Sequence, residues 1–251
     1  ARARGGKGGG GGGAGWHGGG APPHPPGGAP PPARHTRLPL ALLGALLAIL
    51  AVSAALAPAG VFSWALEVVP GLLMIGAFAV QWRRLPLSHW VCVGMFLHVL
   101  VLNYGGIYTY AETPLGNWAR DTFGLARNPY DRVGHLALGV FPVFLAREVL
   151  LRRTPLRRDG WLVFLLLSVI LAIGAFWELI EWWTTLGVSP EKGAAFLGSQ
   201  GDPWDAQWDM LLALVGAAIA LPIGARGHDR SMERVPTVNG QGLGETPAQV
   251  A

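Results

Sequence analysis

Residues 196–210 read FLGSQGDPWDAQWDM and lead directly into the apolar segment that follows them. Polar groups are costly beside lipid hydrocarbon, so three carboxylates, two amides and two indoles at the start of such a segment indicate a function. Asp202 can cap the free backbone N–H groups of a helix, and Pro203 suits its first position. Asp205 and Asp209 then lie four residues apart on one helix face. Capping accounts for Asp202, and the helix dipole favours Asp205 in the first turn, but neither explains Asp209.

Composition places the chain in a membrane. Hydrophobic residues make up 51% of it and charged residues 14%, whereas soluble domains carry roughly a quarter of charged residues. Cys92 is the only cysteine, which excludes an intramolecular disulfide and a multi-cysteine metal site. The basic residues are spread between apolar segments and form no patch with aromatic residues, which argues against a nucleic-acid partner. The predicted partner is the lipid bilayer.

Six apolar segments predict the fold class, an all-α polytopic membrane bundle. Each segment is near the ~20 residues that a helix needs to cross a bilayer, and an open strand edge in lipid would leave backbone groups unpaired. The segments are 38–58, 61–80, 87–108, 131–151, 161–183 and 205–225. The flanking residues, rich in glycine and proline, cannot bury enough apolar surface to become ordered. We therefore expect a disordered tail over 1–37, a six-span domain over 38–226 and a second disordered tail over 227–251.

Three of the predicted spans carry pairs of ionisable residues at the same membrane face. Asp131 and His135 are spaced i,i+4, as are Asp205 and Asp209, and Glu178 and Glu181 are spaced i,i+3, so each pair occupies one helix face. We expect these pairs to line one polar pocket that opens outward, roofed by loops 109–130 and 184–204. The candidate catalytic residues are Asp131, His135, Glu178, Glu181, Asp205 and Asp209. The candidate ligand-binding residues are Asn103, Tyr104, Arg132, Gln200, Asp202 and Gln207.

Several chemistries fit this set of residues. Carboxylate and amide oxygens suit Mg²⁺, Ca²⁺ or Mn²⁺, and Zn²⁺ becomes a candidate if His135 is a ligand. Carboxylates held close together can instead share a proton and serve as a general acid and base or as a proton relay. The sequence contains no GxSxG, HExxH or phosphate-binding glycine loop, which argues against the standard serine hydrolases and zinc proteases.

Three classes of function stay open on these residues. The first is a hydrolase or transferase that acts on a lipid or an envelope-associated small molecule. The second is a non-enzymatic binder or transporter of a cation or ligand. The third is a structural accessory protein. Hydrogen bonds between transmembrane helices average only about 0.6 kcal/mol, so five or more acids contribute little as a purely structural network.

Several long motifs resemble a known family. They include Asn128 to His135 (NPYDRVGH), Ala146 to Glu148 (ARE), Trp177 to Trp182 (WELIEW) and the stretch 196–210. Together they resemble the YjdF-type bacterial inner-membrane proteins, a family of unknown function, over about residues 38–226. The resemblance implies a multi-pass protein of the bacterial cytoplasmic (inner) membrane.

A more distant resemblance involves the same acidic pairs. An Asp-basic-x-x-His motif, a later glutamate and an aspartate at the head of the last span are similar to VanZ-like membrane proteins, which are associated with glycopeptide resistance. Those proteins usually have Glu-x-x-Gln where this chain has Glu178 and Glu181, and Asp-x-x-x-Asn where it has Asp205 and Asp209. The predicted pocket is therefore more acidic than the VanZ-like pattern.

The distribution of basic residues predicts the orientation of the chain in the membrane. Fifteen of the 19 lysines and arginines fall on the side of both termini, and four fall on the opposite side. By the positive-inside rule both termini are cytoplasmic. A topology reporter fused after Arg226 should report cytoplasm, and one inserted near Glu191 should report the outside. Reversed signals would contradict an outward-facing pocket.

Overall fold

The computed structural model describes residues 32–58, 60–187 and 199–236, and within these ranges the secondary structure is entirely helical. This confirms the all-α prediction. The helices are α1 (Ala33–Leu56), α2 (Val61–Gln81), α3 (His89–Tyr108), α4 (Pro114–Phe123), α5 (Tyr130–Val140), α6 (Pro142–Arg153), α7 (Gly160–Gly187) and α8 (Asp205–Met232). A single 3₁₀ turn, Tyr110–Glu112, joins α3 to α4.

The lengths and apolar character of the helices confirm about six spans. Five stretches in the described ranges are long and apolar enough to cross a membrane, with α5 and α6 counted together as Tyr130–Arg153. The sixth is α2, which bends by 46° between Val61–Val69 and Gly71–Gln81. The bend coincides with Pro70, whose backbone has no N–H to continue the helical hydrogen bonds.

Proline also explains the break between α5 and α6. The first helix ends at Val140 and the second begins at Pro142, with Phe141 between them. A proline fits the first position of a helix, where its missing N–H is not needed. The span Tyr130–Arg153 is therefore built from two helical halves, and Pro142 lines a cavity at their junction.

Side-chain contacts define the two ends of the bundle. At one end, which we call the acidic end, Arg132 of α5 pairs with Asp202 just before α8, and Trp64 near the start of α2 bonds to Asn103 near the end of α3. At the other, which we call the basic end, Arg147 of α6 pairs with Asp229 of α8. The helices α5 and α8 therefore start at the same end and run in the same direction.

The helices α5 and α8 touch through small residues. A Cβ added at Gly216 would collide with the backbone oxygen of Leu136, and one added at Gly139 would collide with the backbone oxygen of Ala213. Small residues at such contacts allow two membrane helices to approach closely. This contact sets the register of α5 on α8, so it also sets which polar residues of the two helices meet.

The structure corrects two predicted boundaries. The first helix begins at Ala33, before the boundary at 37, and the last continues to Met232, beyond the boundary at 226. The extension has a physical cause, because His228 and Met232 are almost fully buried and Asp229 pairs with Arg147 and Arg158. Residues 1–31 and 237–251 of the predicted tails lie outside the described residues, so their disorder stays a prediction.

The close contact predicts that adding one methyl group to Gly216 weakens the bundle. Alanine normally favours a helix over glycine, but at Gly216 it meets backbone, so Gly216→Ala should lower stability by about 2 kcal/mol. Gly174→Ala is the matched control, because its Cβ would lie 3.6 Å from the nearest side chain. It should be neutral or stabilising by up to about 1 kcal/mol. Thermal unfolding in detergent measures both, and equal effects would contradict the assigned contact.

Candidate functional site

Carboxylates of α5, α7 and α8 surround one histidine at the acidic end. The Nε2 atom of His135 lies 3.8 Å from Oδ1 of Asp131 and 3.4 Å from Oε1 of Glu178. One donor atom from each of Asp131, His135 and Asp209 lies within 4.8 Å of the other two, and these three residues are buried. The structure thus brings together residues from three separate segments. We call Asp131, His135, Glu178 and Asp209 the carboxylate–histidine cluster.

Several polar atoms of this cluster have no hydrogen-bond partner among the described residues. They are Nδ1 of His135, Oε1 of Glu178 and Oδ1 of Asp209, and all three atoms are buried. Asp209 is only 1% exposed. Most buried polar atoms in proteins are hydrogen-bonded, so unpartnered ones require an explanation. A bound cation or a shared proton would satisfy them.

Arg127 supplies positive charge next to the cluster. Its Nη2 lies 3.3 Å from Oδ2 of Asp131. Its Nη1 pairs with Oδ1 of Asp205 and lies 3.9 Å from Oδ2 of Asp202. In the described ranges Asp209 makes no ion pair with arginine or lysine. Arg127 therefore offsets the charge of Asp131 and Asp205 and leaves the inner part of the cluster acidic.

The sequence analysis missed Arg127 as a site residue. It precedes Asp131 by four residues, the spacing at which opposite charges pair along a helix. Because α5 begins only at Tyr130, Arg127 lies in the preceding loop, where spacing alone does not establish the contact. Its side chain also contacts a distant segment, because the carbonyl of Ser199 accepts a hydrogen bond from Nη1 at 3.1 Å.

Asn128 holds the roof of the site together. Its backbone N–H donates to Oε1 of Gln200 at 2.9 Å, and its carbonyl accepts from Nε2 of Gln200 at 3.0 Å. Its side chain bonds to Thr113 and Asn117. These contacts join loop 109–130 to residues 199–204, as expected of a roof. Residues 188–198 of the predicted roof lie outside the described residues.

Asp202 and Arg132 form the outer edge of the site. Nη2 of Arg132 donates to Oδ2 of Asp202 at 2.6 Å, and its guanidinium group lies 5.5 Å from the ring centre of Trp208. The predicted cap was wrong in detail, because α8 begins at Asp205 without a side-chain cap. Asp202 instead accepts from the backbone N–H of Trp204 at 2.9 Å, since residues 203 and 204 form a turn before the helix.

Three predicted ligand-binding residues lie in other surroundings. Oδ1 of Asn103 accepts from Ser53 at 2.7 Å and from Trp64 at 2.9 Å, so it links α1, α2 and α3. The hydroxyl of Tyr104 accepts from the backbone of Leu115 at 3.1 Å. Gln207 is exposed. These contacts are structural, and a ligand-binding role for the three residues stays a prediction.

A cavity of about 140 Å³ adjoins the cluster. Asp131, His135 and Glu181 line it on the cluster side, and it continues to Glu67 and His98 on α2 and α3. Glu181 is oriented by Trp177, whose Nε1 donates to its Oε1 at 2.6 Å. The cavity therefore connects the acidic end with buried ionisable residues of two further helices.

Tyr110 closes the cavity from the roof. Its ring fits against two glycines, because a Cβ at Gly105 or Gly134 would come within 2.8 Å of it. Burial raises the pKa of the Tyr110 phenol well above its ordinary value, so the hydroxyl stays neutral and can donate a hydrogen bond. Nothing in the sequence linked these two distant glycines to a tyrosine.

Residues 38–230 match a family model described as a predicted membrane protein, DUF2238. The chain belongs to the DUF2238 family. A relative, the inner membrane protein YjdF of Escherichia coli (strain K12), is 41% identical over 179 residues, which is 71% of this chain and 85% of that protein. No solved structure matches the chain.

The match confirms the resemblance to YjdF-type proteins, and the resemblance to VanZ-like proteins stays a prediction. With its apolar helices, this DUF2238 chain is an integral multi-pass membrane protein. The carboxylate–histidine cluster lies wholly inside the matched residues. The family description assigns no activity, so the chemistry of the cluster must be argued from its geometry.

The geometry around Arg127 predicts a strong effect of its removal. Arg127→Gln leaves buried carboxylates without a partner and should lower stability by about 3 kcal/mol or more. Arg120→Gln is the control, because Arg120 is partly exposed and its ion pair is with the exposed Asp121, and it should leave the unfolding temperature unchanged. Adding Asp205→Asn to Arg127→Gln should recover part of the loss. No recovery in the double variant would contradict the assigned pair.

Proposed function

We propose that this DUF2238 protein binds one divalent cation at its carboxylate–histidine cluster and uses it as a hydrolase or transferase on a membrane-embedded or envelope molecule. One observation carries the proposal. Asp131, His135 and Asp209, from two helices, offer three buried donor atoms within 4.8 Å of one another. This spacing suits ligands that converge on a single ion.

The donor set indicates which cations fit. Two carboxylates and one imidazole favour Zn²⁺ or Mn²⁺ over Ca²⁺ and Mg²⁺, which prefer oxygen ligands alone. Catalytic zinc sites typically use three protein ligands and keep a position for water or substrate. The cavity beside Asp131 and His135 offers that open side.

The neighbouring glutamates suit proton transfer. A divalent cation at this position would act as a Lewis acid. Oε1 of Glu178 is buried, lies 3.4 Å from His135 and has no hydrogen-bond partner in the described residues. It is therefore placed to accept a proton at the cluster. Glu181, which Trp177 holds against the same cavity, would orient the reacting group.

The walls of the cavity indicate the class of substrate. Apolar side chains of Met74, Leu102 and Ile173 share it with the acidic residues. Such a mixture fits an amphiphile, with its apolar part against these walls and its polar part at the cation. A location in the bacterial inner membrane, as in the Escherichia coli relative, would supply such molecules. The distribution of basic residues supports an acidic end that faces outward, with both termini cytoplasmic.

A cation transporter is the second candidate. The cavity continues to Glu67 and His98, which are 4% and 3% exposed and lie on α2 and α3 within the membrane domain. Ionisable residues at such depth often mark ion pathways. In this alternative the same cluster binds the cation without chemistry, and Glu67 and His98 form the next step inward.

Metal content tests the proposal. Protein purified in detergent, incubated with Zn²⁺ or Mn²⁺ and freed of loose metal should retain about one equivalent by elemental analysis. His135→Asn should abolish binding because it removes a ligand. His98→Asn is the matched control, since His98 is also buried, lines the same cavity and has an unpartnered Nδ1. A hundredfold excess of cation over its Kd should also stabilise the wild-type fold by about 2.7 kcal/mol.

Two results would overturn the metal site: absence of retained metal in the wild type, or equal loss in the two histidine variants. Reconstituted vesicles then separate the candidates. Uptake of Zn²⁺ or Mn²⁺ into vesicles favours the transporter. Metal-dependent breakdown of an added membrane-lipid extract, without uptake, favours the enzyme.

A further inference from the structure

A second cavity, of about 240 Å³, lies between α1, α2 and α3 towards the basic end. Its lining is apolar and includes Leu43, Leu46, Phe78 and Met95. We propose that this cavity binds the acyl chain of an anionic phospholipid, whose phosphate is held by arginines at the basic end. The proposal does not depend on the function of the carboxylate–histidine cluster.

The shape and chemistry of the cavity fit a hydrocarbon chain. It is larger than the ~150 Å³ apolar cavity that binds benzene in an engineered protein. Apolar cavities exclude water and gain dispersion contacts when an apolar ligand fills them. The cavity is bounded by Pro39 and Leu40 of α1 and by Ala79 of α2, within helices long and apolar enough to span a bilayer. Lipid is therefore the most abundant apolar ligand around this cavity.

Positive charge at the basic end favours a lipid with an anionic headgroup. Arg34 and Arg37 lie in the first turns of α1, and Arg83 and Arg84 follow the end of α2. All four are exposed, and none forms an ion pair with another described residue. Thr36 and Trp82, which line the cavity, adjoin these arginines in the sequence. Unpaired arginines near the membrane surface attract anionic lipid headgroups.

The lining of the cavity near these arginines contains one hydrogen-bond donor without an acceptor. Nε1 of Trp82 is buried and has no hydrogen-bond acceptor among the described residues. The neighbouring His35 cannot serve, because its Nε2 bonds to the carbonyl of Leu87 at 3.0 Å and its ring stacks on Trp82 and His89. An ester oxygen of a phospholipid, located between the chain and the phosphate, is an acceptor of the right kind at this depth.

Photo-crosslinking tests the site directly. Protein in nanodiscs of phosphatidylcholine would receive a phosphatidylglycerol probe with a diazirine in its acyl chain, and labelled peptides would be identified by mass spectrometry. Labels should concentrate in residues 39–46 and 74–79. Unlabelled phosphatidylglycerol should compete and added phosphatidylcholine should not. Labels concentrated instead at exposed apolar positions such as Val80 and Ile223, or equal competition by both lipids, would overturn the proposal.

Variants of the protein distinguish binding of the lipid headgroup from binding of its acyl chain. Replacing Arg37, Arg83 and Arg84 by glutamine should reduce labelling at the cavity about tenfold or more, because each arginine near the surface contributes to anionic-lipid binding. Replacing Arg157, Arg226 and Arg230 by glutamine removes the same charge elsewhere at the basic end. This control should leave labelling at the cavity unchanged. Equal losses would show attraction by net charge alone and would overturn the site. Ala79→Trp should block labelling by filling the cavity. If that variant does not fold, the positions labelled in the wild-type protein test the site.

Discussion

The close approach of α5 and α8 is the contact on which the acidic end depends. The buried stripe of α8 carries Asp205 and Asp209 in its first turns and Ala213 and Gly216 further along. Because these residues share one helix face, packing the small ones against α5 turns the two aspartates toward α5 as well. Burial of carboxylates opposes this arrangement. The packing contact and Arg127 together must therefore outweigh that cost.

The basic end shows how this chain treats a buried carboxylate that has a structural role. Glu148 is fully buried, and it accepts from the backbone and hydroxyl of Ser88, from Arg152 and from His228 at distances of 2.5–3.1 Å. Its oxygens are thus satisfied by its own helix, through Arg152, and by two other segments, which carry Ser88 and His228. Asp209, equally buried, keeps an oxygen without a partner. This contrast between two buried carboxylates of one molecule supports the proposed ligand-binding role of Asp209.

The sequence predicted what depends on local spacing and missed what depends on distant partners. Hydropathy located the spans, and helical spacing placed Asp131 with His135 and Asp205 with Asp209 on single faces. The extension of α8 could not be predicted, because His228 is buried by contacts with residues about 80 positions earlier. The same limit applies to Asn103, whose predicted site role came from its position, whereas its observed bonds reach α1 and α2.

The ligands proposed for the two cavities have opposite charges and lie at opposite ends of the bundle. The proposed ligand of the carboxylate–histidine cluster is a cation, and the proposed ligand of the unpaired arginines is an anion. In the proposed binding mode, a phospholipid in the larger cavity would hold its phosphate at the basic end, away from the cluster. Met74 lines both cavities, and a chain that fills the larger one therefore packs against the wall of the smaller one. Any effect of bound lipid on the cluster must then pass through packing at Met74 rather than through charge.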